Sequence, residues 1–100
     1  MPIIKVSKKK SHYVQIYNSV FEDTNISWKA KGLLGYLISK PHDWKVWVKD
    51  LINSSTDGRD AVRSGIKELM ETGYMTRERE RYDDGTLGEM TYTVYEVPQE

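Results

Sequence analysis

The sequence contains no cysteine, little histidine and no long hydrophobic run. The lack of cysteine excludes disulfide scaffolds, thiolate nucleophiles and Cys-ligated zinc, and it suits a reducing compartment. Apolar runs such as Leu33-Leu34 are far shorter than the roughly 20 residues that cross a bilayer, and no signal-peptide core follows Met1. We therefore expect a cytoplasmic protein without a membrane segment.

Only two histidines, His12 and His42, could act as bases near neutral pH. Neither belongs to a His-x-x-x-His or Glu-x-x-His pair, the spacings that place metal ligands on one helix face. The residue types and spacings therefore favour a protein that is not an enzyme and that holds no metal or cofactor.

Charge is balanced over the whole chain but not along it. The 100 residues hold 15 Lys and Arg against 15 Asp and Glu. Residues 1–50 carry nine Lys and four acids, a net charge of +5, whereas residues 51–100 carry six bases and eleven acids, a net charge of −5. Phosphate binding depends on where cations cluster rather than on their total. A uniformly basic surface is excluded, but a local cationic patch is not.

The first half of the chain changes from a strand-like to a helix-like pattern. Residues 12–17 alternate with a period of two and are rich in β-branched and aromatic side chains, which predicts a strand. From the N-cap residue Ser27, apolar side chains recur at helical spacing until Pro41 stops the helix. Shorter elements are expected as a helical turn at 20–23, an extended stretch to Val46 and a helix from about Trp47 to Ser54. Each tryptophan flanks an apolar stripe, so core or interface positions are expected for Trp28, Trp44 and Trp47.

The next predicted helix spans residues 58–72 and ends at Gly73, a favoured left-handed C-cap. At 100° per residue its apolar side chains lie on one face and its cations on the adjacent face. The cationic face carries Arg59, Arg63 and Lys67, with one acid, Asp60, among them.

Residues 74–97 have the pattern of a β-hairpin. Two alternating runs flank the stretch 83–86, which contains Asp-Gly, a strong hairpin signal. The period of two places Arg77, Arg79 and Arg81 on one face of the first strand, and it places Glu78 and Glu80 on the other.

The order strand, helix, short strand, helix, turn, helix, hairpin predicts a winged helix-turn-helix. This α+β fold has three helices, an N-terminal strand and a C-terminal β-hairpin wing. We expect a flexible basic arm at 1–11, the winged domain at 12–97 and a tail at 98–100. Such a fold suits double-stranded DNA, because a helix fits the major groove while the preceding helix braces against phosphates. Residues 58–72 would be the recognition helix, and 74–97 the wing on the backbone or minor groove.

Eight side chains are the expected DNA contacts. They are Thr56, Arg59, Arg63, Ser64 and Lys67 at the recognition helix, and Arg77, Arg79 and Arg81 on the wing. The planar fork of arginine can hold a guanine edge or a phosphate at two points, whereas lysine offers a point charge. Two plainer interpretations stay open: every amphipathic helix has a charged outer face, and alternating Arg and Glu on a hairpin can form cross-strand ion pairs.

Several segments together resemble a known family. They are Ile26–Leu34, Pro41–Trp44, Asp57–Val62, Lys67–Leu69 with Gly73-Tyr74, and Thr93–Glu96. In these segments the chain resembles the amino-terminal winged-helix domain of phage and plasmid replication initiators, also called replisome organisers. These are related to DnaD-type primosome proteins of low-GC Gram-positive bacteria. The resemblance covers about residues 12–97 and is most specific at 27–34 and 57–62.

The resemblance implies a cytoplasmic bacterial or phage protein that binds double-stranded DNA at an origin. It also implies replication initiator or helicase-loading proteins as partners, a homo-oligomer formed through the apolar residues of 12–17, and a second domain after a linker that begins near 98–100. Two other functions remain open, an interaction and oligomerisation module of the replication machinery or a small transcriptional regulator. The DNA sequence recognised does not follow from the amino-acid sequence.

Overall fold

The structure is a computed structural model, and it describes residues 2–5, 13–40 and 46–99. Within these ranges the chain is α+β, with four helices followed by one antiparallel hairpin. The elements are α1 (Asn18–Glu22), α2 (Trp28–Ile38), α3 (Val48–Asn53), α4 (Gly58–Glu71), β1 (Met75–Arg81) and β2 (Leu87–Val94). The class and the order of the helices and hairpin agree with the prediction and are compatible with a winged helix. The prediction of three helices is short by one for the described residues, because the predicted turn at 20–23 overlaps a fourth, short helix, α1.

Helix α2 begins where the sequence predicted. The Ser27 hydroxyl oxygen accepts the Ala30 N–H at 3.1 Å, which satisfies one of the free donors of the first turn. The helix ends at Ile38. Its expected stop at Pro41 lies outside the described residues.

The buried apolar side chains form one cluster where α2, α4 and the base of the hairpin meet. Its largest fully buried members are Tyr74, Leu34, Leu69 and Val20. Each such side chain contributes roughly 1.5 to 3 kcal/mol when it leaves water. The core therefore joins the helices to the first residues of the hairpin.

Helix α4 ends in the left-handed cap that the sequence predicted. Gly73 has a φ of +88°, a value that glycine adopts without strain. Its N–H donates to the Met70 carbonyl at 3.4 Å, and the Tyr74 N–H donates to the Leu69 carbonyl at 2.9 Å. A Cβ atom on Gly73 would also collide with the backbone carbonyl of Gln99. The change of chain direction at Gly73 places Tyr74 in the core, and β1 begins at the next residue.

The predicted N-terminal strand is wrong for residues 13–17, the part of 12–17 that the structure describes. These residues have no strand pairing, and the sheet of the described chain contains only β1 and β2. Ile16 packs against the core, and the Tyr17 N–H donates to a carboxylate oxygen of Glu96 at 3.1 Å. A period of two indicates which side chains turn inward, but a strand also needs hydrogen bonds to a neighbouring backbone. Here the hydrogen-bond partner of the Tyr17 N–H is a side chain and not another strand.

Of the two positions expected for the tryptophans, core or interface, the core position is wrong for the two that the structure describes. Trp28 is 79% exposed and Trp47 is 56% exposed, while Trp44 lies outside the described residues. The buried side of α2 runs through Ala30 and Leu34. At 100° per residue, Trp28 lies on the opposite side of that helix.

The hairpin pairs with one irregularity near its tip. Arg79 lies opposite Met90 and Arg81 opposite Leu87, so two residues of β2 face one residue of β1 between them. Such a bulge bends and twists the ribbon locally. Gly85 closes the turn with a φ of +86°, and its N–H donates to the Tyr82 carbonyl at 3.0 Å.

Candidate nucleic-acid interface

The wing has two chemically different faces. Arg77, Arg79 and Arg81 share a face of β1 with Met75, whose side chain is buried in the core. Glu78 and Glu80 occupy the other face. The arginine face therefore continues outward from the side of the hairpin that packs on the helices.

The cross-strand partners of the three wing arginines are not acids. Arg77 faces Tyr92, and toward the tip the other two arginines face Met90 and Leu87. Among the residues that the structure describes, the wing arginines form no salt bridge. The register of the hairpin therefore does not support cross-strand ion pairs between alternating Arg and Glu. The three arginine residues are exposed.

The predicted cationic face of α4 is exposed. Arg59, Arg63 and Lys67 are all solvent-exposed, while the adjacent face of the helix buries Val62 and Leu69 among others. Lys67 has an acid nearby, because its Nζ lies 3.9 Å from a carboxylate oxygen of Glu71, one helical turn further on. Both side chains of that pair are largely exposed, so the pair contributes only a few tenths of a kcal/mol.

Helix α4 and strand β1 are in contact, and periodicity relates the cationic face of each element to that contact. Ile66 of α4 and Met75 of β1 line one groove. Counting 100° per residue from Ile66 toward solvent, the next side chains on α4 are Arg59, Met70 and Arg63. Met75 in turn begins the hairpin face that carries Arg77. By periodicity, both cationic sets lie next to the residues at which α4 and β1 meet.

The other two expected contacts are Ser64 and Thr56. The Ser64 hydroxyl accepts a hydrogen bond from Lys29 Nζ at 2.9 Å, so Ser64 is directed toward α2 and not toward Arg63. Thr56 is exposed in the turn before α4. Sequence reasoning missed Lys29, because only the packing of α2 against α4 places this cation beside Ser64.

Polar contacts fix α4 along the flank that faces α2. The carboxylate of Glu68 accepts the Ser27 N–H at 2.5 Å and the Ser27 hydroxyl at 2.8 Å. These hydrogen bonds, with the nearby Lys29, hold the pKa of Glu68 below its usual value. Gly65 permits α4 to approach α2 closely, since a Cβ at this position would lie 3.0 Å from a methyl carbon of Leu33. The contacts with α2 therefore fix the position of α4 along a flank that does not carry the cations.

No protein-family model matches this chain, and no curated protein or solved structure matches it. Within residues 2–5, 13–40 and 46–99, no helix has the length and apolar character needed to cross a membrane. The same residues contain no group of three or more His, Asp or Glu side chains placed to hold a metal ion. The candidate interface thus depends on the exposure and charge of its own residues.

Proposed function

We propose that this chain is a double-stranded DNA-binding winged-helix domain, with α4 in the major groove and the wing on the backbone or minor groove. The observation that supports the proposal is the exposure of the α4 cations and of the wing arginines on two elements that contact each other, with no acidic partner for the arginines among the described residues. A helix and a two-stranded ribbon side by side can follow the groove and the phosphate backbone together.

The three α4 cations differ in what they can contribute. Arg59 lies in the first turn, where free backbone N–H groups and the helix dipole also favour an anion. Arg63 lies one turn further, exposed and without an acid within the described contacts. Lys67 is close to Glu71. We therefore rank Arg63 and Arg59 above Lys67 in their contribution to DNA affinity.

The process served by DNA binding is also a proposal. The resemblance of 27–34 and 57–62 to replisome-organiser domains supports a role at a replication origin in a bacterial or phage-infected cytoplasm. Partners would then include replication initiator or helicase-loading proteins. Tyr13 and Val14, exposed in the segment once expected to be a strand, support self-association there.

A binding titration against a pool of random duplexes tests the proposal. Arg63→Ala should weaken binding by about 1 to 3 kcal/mol and relax any sequence preference, and log affinity should fall steeply with log salt. Lys49→Gln changes an exposed lysine of α3 that is not among the expected contacts, and this control should bind as the unchanged chain does. A flat salt dependence, or equal losses in the two variants, would contradict the proposal.

A further inference from the structure

The arginines of this chain are confined to two elements. All five of them lie on α4 or β1, two on the helix and three on the wing, whereas nine of the ten lysines lie elsewhere. Either residue can serve as a solvated surface charge, but only arginine has a planar and weakly hydrated fork of donors. The distribution therefore points to a role for the guanidinium group itself on these two elements.

The arginine face of the wing is cationic along one strand and apolar along the other. The β2 residues opposite the three wing arginines are Tyr92, Met90 and Leu87. Cross-strand neighbours project from the same face of a ribbon, so an apolar row runs beside the arginine row. Leu87 is 51% exposed and Tyr92 is 38% exposed, so this row is open to a ligand.

The acids of the wing lie away from this face. Glu78 and Glu80 project from the other face of β1. Glu89, the one acid of β2, lies in the irregular part of the register, opposite Glu80. At the turn, the carboxylate of Asp84 accepts the Thr86 N–H at 2.9 Å. A polyanion can therefore approach the hairpin on its arginine face, whereas the tip and the other face would repel it.

The width of the ribbon limits how it can meet duplex DNA. The major groove is about 12 Å wide and the minor groove about 6 Å wide. The two strands of a ribbon are already about 4.8 Å apart without their side chains. The ribbon is therefore too wide for the minor groove, but a single row of its side chains can enter. With α4 in the major groove, the wing of the same domain would meet the backbone and the minor groove next to it.

We propose, as an extension of the proposed function, that Arg77, Arg79 and Arg81 enter the minor groove of the duplex that α4 binds, while the apolar row lies against the sugars. Guanine places an amino group in this groove at G·C pairs, and A·T-rich segments narrow the groove and strengthen its negative potential. The wing would therefore select duplexes whose minor groove lacks that amino group. Arginine suits this position better than lysine, because its charge is more weakly hydrated.

Three short duplexes of alternating A·T, G·C or I·C pairs, each titrated with the full chain, test the inference. Inosine lacks only the 2-amino group of guanine, so an I·C pair has the major-groove edge of G·C and a minor groove like that of A·T. The chain should bind the A·T and I·C duplexes several-fold more tightly than the G·C duplex. A preference read by α4 in the major groove would instead make I·C behave like G·C.

Lysine variants separate the fork of arginine from its charge. Replacing the three wing arginines together, as R77K, R79K and R81K, should keep the salt dependence of binding and abolish the preference for I·C over G·C. Arg63→Lys makes the matched change on α4 and should leave that preference in place. Circular dichroism melting of each variant checks that the fold is retained.

Several outcomes would overturn the inference. Equal affinity for the I·C and G·C duplexes would do so and would leave the proposed function intact, because duplex binding would persist. A preference retained by the folded triple lysine variant would do so as well. Tighter binding of the separated single strands, lost in Tyr92→Ala, would assign the arginine face to unpaired bases. Absence of binding to every duplex would refute the proposed function, and this inference with it.

Discussion

The four helices, called the body from here on, and the hairpin wing differ in how much of each is buried. Helix α4 buries one face in the core and is fixed along a second flank by the hydrogen bonds of Glu68 with Ser27. Strand β1 buries Met75 and is exposed at every position after it. Stability is therefore concentrated in the body, and the surface of the wing can change at low cost to folding. Met75 and Val94 at the base of the ribbon pack on the core, whereas the rest of β1 adds exposed side chains and no buried ones.

The two regions meet at a short joint, Gly73–Met75. The left-handed Gly73 turns the chain, and the carbonyl of Tyr74 accepts the Tyr95 N–H at 2.9 Å, which begins the pairing of the hairpin. The Tyr74 hydroxyl meanwhile donates to a carboxylate oxygen of Asp23 at 2.7 Å. One residue thus ties the base of the wing to the segment after α1, and the direction of the wing is set inside the core.

The largest expected effect is on the free energy of unfolding, and it should differ between a buried residue of the body and an exposed residue of the wing. Leu69→Ala removes a fully buried side chain of α4 and should lower the free energy of unfolding by about 2 to 5 kcal/mol. Leu87→Ala removes the same atoms from a wing residue that is 51% exposed, and it should cost about 0.5 kcal/mol or less. Urea unfolding followed by circular dichroism measures both. Similar losses in the two variants would show that the wing contributes to the core after all.

Local patterns predicted the elements that depend on local causes. The Ser27 cap, the end of α4 at Gly73 and the turn around Gly85 each follow from the backbone preference of one residue. The exposure of the cationic flank of α4 also followed from helical periodicity, because that flank lies beside the apolar stripe.

Features that depend on a distant neighbour could not be predicted in this way. The 12–17 pattern indicates alternating environments but does not say whether a second backbone lies beside it, and for 13–17 none pairs with it. The side of α2 that faces the core depends on where α4 packs, so the sequence could not separate a core position for Trp28 from an interface position. The contact between Lys29 and Ser64 joins two helices that are far apart in the chain. Each of these features is decided by tertiary packing and not by local propensity.

An intermediate effect is expected at the joint, and it depends on pH. Burial and the nearby Asp23 carboxylate raise the pKa of Tyr74 to about 12, while hydrogen bonds from Tyr74 and the Asn25 N–H lower the pKa of Asp23. The stabilisation tied to neutral Tyr74 is complete below its unfolded pKa near 10 and is lost as pH rises through about 12. That tied to ionised Asp23 is present above its unfolded pKa of 3.8 and is lost as pH falls through its lower folded value.

Tyr74→Phe tests this assignment, because it keeps the buried ring and removes the hydroxyl. It should lower the free energy of unfolding near neutral pH by about 1 to 3 kcal/mol, the range for a hydrogen bond to a charged group. The loss of stability between about pH 10 and 12 should become smaller, and so should the loss in acid. The measurement is thermal melting across pH. A pH profile identical to that of the unchanged chain would refute the role of this pair.

The smallest expected effect on stability lies on the wing itself, where function and folding should separate most cleanly. Arg79→Gln and Glu78→Gln alter adjacent, exposed residues on opposite faces of β1, and each should change the free energy of unfolding by less than about 0.5 kcal/mol. Their effects on DNA should differ, because only the arginine face continues from the side that packs on α4. Arg79→Gln should weaken duplex binding several-fold and reduce the slope of log affinity against log salt by about 1. Glu78→Gln should leave the affinity unchanged or raise it slightly. If both variants bind equally well, the wing does not touch DNA through its arginine face, and the cations of α4 must account for binding alone.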